Sequence, residues 1–120
     1  MKRKIAIVDD SDIALSWAKD ALIAHGYDVV THASPFGINQ LLREARPDLL
    51  LLDIQMPALN GVSTCKLLKA REATAKLPIL LYSSLSMSEL AAKAREATAD
   101  GYVQKTGSVA EFMKQLNVFL

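Results

Sequence analysis

The chain has 120 residues, 51% apolar and 22% charged, with a formal net charge of +1. This suits one globular domain with one core, excludes a disordered chain, and makes no case for a nucleic-acid or acidic-membrane partner. No apolar run approaches the ~20 residues of a membrane helix, the N-terminus lacks a secretion-signal pattern, and Cys65 stands alone, so a reducing cytoplasm is expected.

The basic opening Lys2-Arg3-Lys4 reads as a solvated lead-in to the first strand. Ile5-Ala6-Ile7-Val8 is a short apolar run that ends on Asp9-Asp10, as a buried strand surfacing on carboxylates would. Ser11 to His25 reads as a helix, with Ala14, Trp17, Ala18, Ala21 and Leu22 on its core face and Gly26 as its stop. Tyr27 to His32 is a strand with polar interruptions, which suits a sheet edge. Pro35 fits the first turn of a helix running to about Arg46, with Ile38, Leu41, Leu42 and Ala45 inward, and Pro47 breaks it.

Leu49-Leu50-Leu51-Leu52-Asp53 is the most strongly marked stretch: four leucines buried on both faces, then a carboxylate. Pro57 and Asn60-Gly61 make the following segment a loop. A helix from about Val62 to Ala73 carries Val62, Cys65 and Leu68 at helical spacing, and Cys65 reads as a buried structural thiol. Ile79-Leu80-Leu81-Tyr82-Ser83 is another buried strand, ending on hydroxyls. Ser88, with Glu89, is the expected cap of an alanine-rich helix to about Thr98. Gly101 to Gln104 is a short last strand ending on Lys105. Ser108 caps a final helix to about Phe119, with Val109, Phe112, Met113 and Leu116 inward.

The hexapeptide Ala-Arg-Glu-Ala-Thr-Ala occurs at 70–75 and again at 94–99, each time expected at a helix end before a strand. Two copies make no solenoid, and they read as similar local solutions at equivalent places. His25 and His32 have no metal-ligand partner at suitable spacing and read as structural or surface residues.

Five strand–helix units in succession imply a parallel sheet, because parallel neighbours need a crossover, and right-handed crossovers place helices on both faces. The expected fold is a doubly wound open α/β sheet, with its ligand site outside the carboxyl ends of the strands. Those ends carry Asp9 and Asp10, Asp53, Ser83 and Lys105. Asp9 or Asp10 taken singly fits a helix cap as well as a metal ligand. Three carboxylates together repel, and a hard cation relieves that cost; oxygen donors without Cys or His suit Mg²⁺. With a lysine for a phosphate oxygen and a hydroxyl donor, the set is what phosphoryl transfer to a carboxylate needs.

On these residues the chain resembles a bacterial two-component receiver domain. The resemblance is carried by Val8-Asp9-Asp10, Leu51 to Pro57 with Asn60-Gly61, Ser83, and Asp100-Gly101-Tyr102 followed by Lys105, and it covers Lys4 to Leu120. It implies a single receiver domain over 1–120 with the flavodoxin-like (βα)5 strand order 2-1-3-4-5. It also implies a phosphorylation switch in which Asp53 accepts a phosphoryl group from the phosphohistidine of a sensor histidine kinase or phosphotransfer protein. Asp10 and Asp53 would contact Mg²⁺, Asp9 largely through water, and the backbone carbonyl of Gln55 would complete the protein ligands. Lys105, Ser83 and Ser84 would meet the phosphoryl group, and Tyr102 would turn inward with Ser83. This would remodel the surface of the fourth helix, fifth strand and fifth helix for an output partner. Such a domain is a switch, enzymatic at most in its own phosphorylation and dephosphorylation.

The chain departs from the family where Ser83 stands for the usual Thr, where Ser84 follows it, and where Lys105-Thr106-Gly107 replaces the usual Lys-Pro with its cis bond. The Lys105-Thr106 departure alone makes a constitutive interaction module with impaired switching the alternative. An aspartyl-phosphate phosphohydrolase is the third reading, weakened by Gln55 in place of a second carboxylate.

Overall fold

The computed structural model describes residues 2–120. Five strands, β1 (Lys4–Val8), β2 (Asp28–His32), β3 (Leu49–Asp53), β4 (Ile79–Ser83) and β5 (Gly101–Gln104), alternate with five helices. The helices are α1 (Asp12–Ala24), α2 (Ile38–Ala45), α3 (Gly61–Ala70), α4 (Met87–Ala97) and α5 (Val109–Asn117). All neighbouring strands pair in parallel, in the order β2-β1-β3-β4-β5. This is the doubly wound flavodoxin-like α/β fold expected from the strand–helix alternation. No helix among the described residues is long and apolar enough to cross a membrane.

Period-two alternation splits the core into two layers. Ile5, Ile7, Leu49, Leu51 and Leu80 face α1 and α5, where they meet Leu22, Phe112 and Leu116. Ala6, Val8, Leu50, Leu52 and Leu81 face the other way, onto α2, α3 and α4 through Leu42, Cys65 and Leu90. Every residue of β3 and β4 is buried, which is why both read as unbroken apolar runs. The edge strand β2 is only partly covered and reads with polar interruptions.

Several local expectations are corrected. On α1 the core face is Leu15, Ala18, Ala21 and Leu22, while Ala14 and Trp17 flank it half-buried. Helix α2 begins at Ile38, so Pro35 lies ahead of it. Ser34 Oγ accepts the Phe36 N–H, and Gly37 sits at φ +78°, so a turn occupies these residues. On α2, Ile38 and Leu42 are buried while Leu41 and Ala45 are half-buried. The cap of α4 is Ser86, whose Oγ accepts from the Glu89 N–H at 3.2 Å and bonds the Glu89 carboxylate at 2.9 Å; Ser88 lies inside the first turn. The spacing Ser86-x-x-Glu89 was the available signal. Helix α5 ends at Asn117, with Val109 exposed and Phe112, Met113 and Leu116 inward as expected.

The repeated hexapeptide adopts two conformations. In the second copy Ala94 to Ala97 continue α4, with Ala94 and Ala97 buried. In the first copy only Ala70 is helical. Arg71 turns extended (φ −90°, ψ 135°), Ala73 is exposed, and the Thr74 hydroxyl donates to the Leu68 carbonyl to close the helix end. The two copies are therefore not equivalent local solutions.

Candidate functional site

The winding reverses between β1 and β3, which lie side by side with α1 and α5 on one face and α2, α3 and α4 on the other. Asp9 and Asp10 follow β1, and Asp53 ends β3. Ligand oxygens of Asp9, Asp10 and Asp53 all lie within 4.8 Å of one another. Asp9 and Asp53 are buried, and Asp10 is exposed at the rim.

The question of helix capping resolves onto Ser11, whose Oγ accepts from the Ala14 N–H at the start of α1. Asp9 Oδ1 accepts the Ser11 N–H at 3.0 Å, which turns its other oxygen inward. Lys105 Nζ lies 2.8 Å from Asp9 Oδ2 and 3.6 Å from Asp53 Oδ2. The ammonium neutralises Asp9 Oδ2 but lies off the axis of a good hydrogen bond, so this buried oxygen has no aligned donor. Asp53 Oδ1 accepts the Gln55 N–H at 2.8 Å. Burial pushes the Asp53 carboxyl up to about 6, against the lowering pull of the Gln55 N–H and Lys105 and with a further push from Asp9.

These features fit a divalent cation. The donor set is three carboxylates without Cys or His, one oxygen is buried without an aligned donor, and the negative charge exceeds what Lys105 alone balances. Mg²⁺ suits such an all-oxygen set.

Lys105 is held without a proline behind it. Its backbone N–H donates to the Ser83 carbonyl at 2.7 Å, and no cis peptide bond occurs among the described residues, so the Lys105–Thr106 bond is trans. The Lys105 ammonium also sits over the Tyr82 ring, 5.1 Å from its centroid. Tyr82 pairs in register with Asp53, and burial, with the charges of Asp9 and Asp53, raises the pKa of its phenol. Its ring meets Phe112 at 5.9 Å, which meets Trp17 at 5.2 Å. Trp17 and Lys105 line the same groove beside the site, with Ser11, Ile13 and Tyr82.

Ser83 is fully buried and Ser84 exposed. Both hydroxyls donate to Gln55 Oε1, at 2.8 and 3.1 Å, rather than to Asp53. Tyr102 is half-buried against the layer beneath α4. Cys65 is buried, with its thiol pushed up to about 11 by burial. Each histidine ring is bonded to a backbone carbonyl, His25 to Ala21 and His32 to Phe36, as structural residues would be. The fold thus gathers Asp9, Asp10, Asp53 and Lys105 at one point and sets the two serines beside them. The roles of the Gln55 side chain and Tyr82 escaped the sequence reading. Only the register between β3 and β4 would have pointed to Tyr82.

A comparison with protein-family models matches residues 5–117 to the response regulator receiver domain. The chain is 28% identical, over all of its length and 98% of the relative's, to the polar-differentiation response regulator DivK of Brucella ovis. In fold it superimposes on the chemotaxis response regulator CheY4 of Vibrio cholerae with a TM-score of 0.89 at 24% identity, each chain covered completely. The BeF3-activated N-terminal receiver domain of Klebsiella pneumoniae RstA gives 0.84 at 28% identity, with 97% of each chain covered. The acidic cluster, the lysine and this topology agree with these matches, and the chain belongs to the response regulator receiver domain family of two-component signalling.

Proposed function

We propose that this chain is a phosphorylation-controlled switch in which Asp53 accepts a phosphoryl group from the phosphohistidine of a sensor histidine kinase or phosphotransfer protein. The observation that carries the reading is a buried carboxylate at the switch point of the sheet, 3.6 Å from a lysine and within 4.8 Å of two further carboxylates. An Asp53 oxygen attacks phosphorus, the P–N bond to the histidine breaks, and its electron pair returns to the imidazole nitrogen, which takes up a proton. The Gln55 N–H on Oδ1 fixes the carboxylate plane. Lys105 then exchanges its contact with Asp9 and Asp53 for a phosphoryl oxygen. Asp9, Asp10, Asp53 and the Gln55 carbonyl would hold Mg²⁺. When bound, the ion supplies charge compensation for the carboxylates and the phosphoryl oxygens.

The output is a change in partner affinity. Ser83 leaves Gln55 to donate to the phosphoryl group, Ser84 lines the same space, and Tyr102 moves inward, so the surface of α4, β5 and α5 changes shape for its partner. One domain over 1–120, working in the cytoplasm, suits this role. The RstA receiver described as BeF3-activated supports the reading, as a relative of the same fold that a phosphoryl mimic activates.

A second reading, a constitutive interaction module, rests on one feature: Lys105 is followed by Thr106 through a trans bond, where the family usually has Lys-Pro. Intact-protein mass after incubation with acetyl phosphate and Mg²⁺ separates the two. One added phosphoryl group, lost with EDTA and lost in Asp53→Asn, is expected. An unlabelled wild type that still binds Mg²⁺ leaves the constitutive module, and a stoichiometrically labelled Asp53→Asn overturns the acceptor.

A further inference from the structure

The side chain of Gln55 has no part in the phosphoryl chemistry above, yet it is the most heavily bonded polar group at the site. Its Oε1 receives three donors: Ser83 Oγ at 2.8 Å, Ser84 N at 3.1 Å and Ser84 Oγ at 3.1 Å. The oxygen end of the carboxamide accepts and the nitrogen end only donates, so a backbone N–H among the three donors fixes its orientation. We propose that Gln55 is a positioning residue whose carboxamide holds the Ser83 hydroxyl in the resting arrangement and thereby sets how far the site switches when Asp53 is modified. The inference rests on the phosphorylation reading and deepens it.

A serine hydroxyl has one proton. Here it is given to Gln55, while the Ser83 oxygen accepts the Leu85 N–H at 3.1 Å. Ser83 is fully buried, so its hydroxyl has no solvent to turn to while it stays in place. Donation to a phosphoryl oxygen on Asp53 therefore requires release from Gln55. Ser84 is the second half of the device. Its backbone N–H and hydroxyl keep Oε1 in position after Ser83 leaves, so the resting bond re-forms when the phosphoryl group is lost. Gln55 also donates its own N–H to Asp53 Oδ1 at 2.8 Å, so a single residue grips the acceptor with its backbone and the hydroxyls with its side chain. One buried hydrogen bond weights the switched-to-resting ratio by about two- to tenfold.

Gln55→Met keeps the length of the side chain and replaces the strong acceptor with a thioether. The measurement is the switched-to-resting ratio from amide NMR signals of Leu85 and Tyr102 at saturating Mg²⁺ and beryllofluoride, the phosphoryl mimic. The expected result is a rise of about two- to tenfold over wild type, and no such rise when Gln55→Met is added to Ser83→Ala. A purely structural role would shift both backgrounds alike. An unchanged ratio, or an equal shift in the Ser83→Ala background, overturns the proposal. Should Gln55→Met not fold, wild-type hydrogen exchange decides. The Ser84 amide is slowed if Gln55 holds it, although Ser84 is exposed, and exchange at the free-peptide rate overturns the proposal. A wild type that takes neither phosphoryl group nor beryllofluoride brings down the functional reading and this inference together. A wild type that takes them while Gln55→Met changes nothing brings down this inference alone.

Discussion

Asp53 is held against its chemistry. Burial and the neighbouring Asp9 raise its carboxyl to about 6 from an ordinary value near 3.8, so the folded protein keeps a proton that the unfolded chain has released. Above pH 6 the ionised group therefore opposes folding. That cost is absent below the ordinary carboxylate range and grows as pH rises from about 4 to about 6. Asp53→Asn, which cannot ionise, should stabilise the metal-free protein at pH 7.5 by on the order of 1–3 kcal/mol. The gap should narrow as pH falls toward 4, as read by urea unfolding at each pH. A mutant that is no more stable at pH 7.5 would mean that Lys105 fully compensates the charge. Asp9, Asp10, Asp53 and Lys105 were legible in the sequence because each directly follows or ends a strand, where parallel topology alone brings them together. The Gln55 carboxamide and Tyr82 were not. Which way an amide bonds, and which ring lies under an ammonium, depend on neighbours 28 and 23 positions away along the chain.

Helices and strands were legible where burial was two-sided or periodic and blurred where a turn competed. Helix α2 starts late because Gly37 and the Ser34 hydroxyl favour a turn. Helix α4 starts early because Ser86 and Glu89 cap each other. Gly61, at the start of α3, shows a closer constraint. A Cβ there would lie 2.7 Å from Ile54 Cγ2 and 2.8 Å from Ile54 Cα, so backbone must move to admit it. Ile54 is the residue between Asp53 and Gln55. Gly61→Ala should cost about 1–3 kcal/mol, seen as a lower urea midpoint. It should also disturb the amide NMR signals of Ile54 and Gln55. Unperturbed signals there would mean that α3, and not the site, absorbs the strain.

Across the whole molecule, an aromatic row joins the site to the α1–α5 face: Lys105 over Tyr82, Tyr82 on Phe112, Phe112 on Trp17. Trp17 is the one tryptophan, so its emission reports on this row. Moving the ammonium toward a phosphoryl oxygen weakens its hold on Tyr82. Acetyl phosphate with Mg²⁺ should therefore change Trp17 emission in wild type and leave Asp53→Asn unchanged. Equal spectra in a fully labelled wild type would uncouple the row from the site. The alternating strand–helix pattern, the apolar runs of β3 and β4, and the charged residues at strand ends sufficed for the fold class and the acidic cluster, because these follow from local periodicity and the crossover rule. Conformation at the repeated hexapeptide did not follow from its residues. The same Ala-Arg-Glu-Ala run is helical where Ala94 and Ala97 are buried, and leaves the helix after its first residue where Ala73 faces water and Thr74 bonds back to Leu68. Burial against distant strands outweighs the small helix propensities of six residues, and that burial exists only once the sheet has assembled.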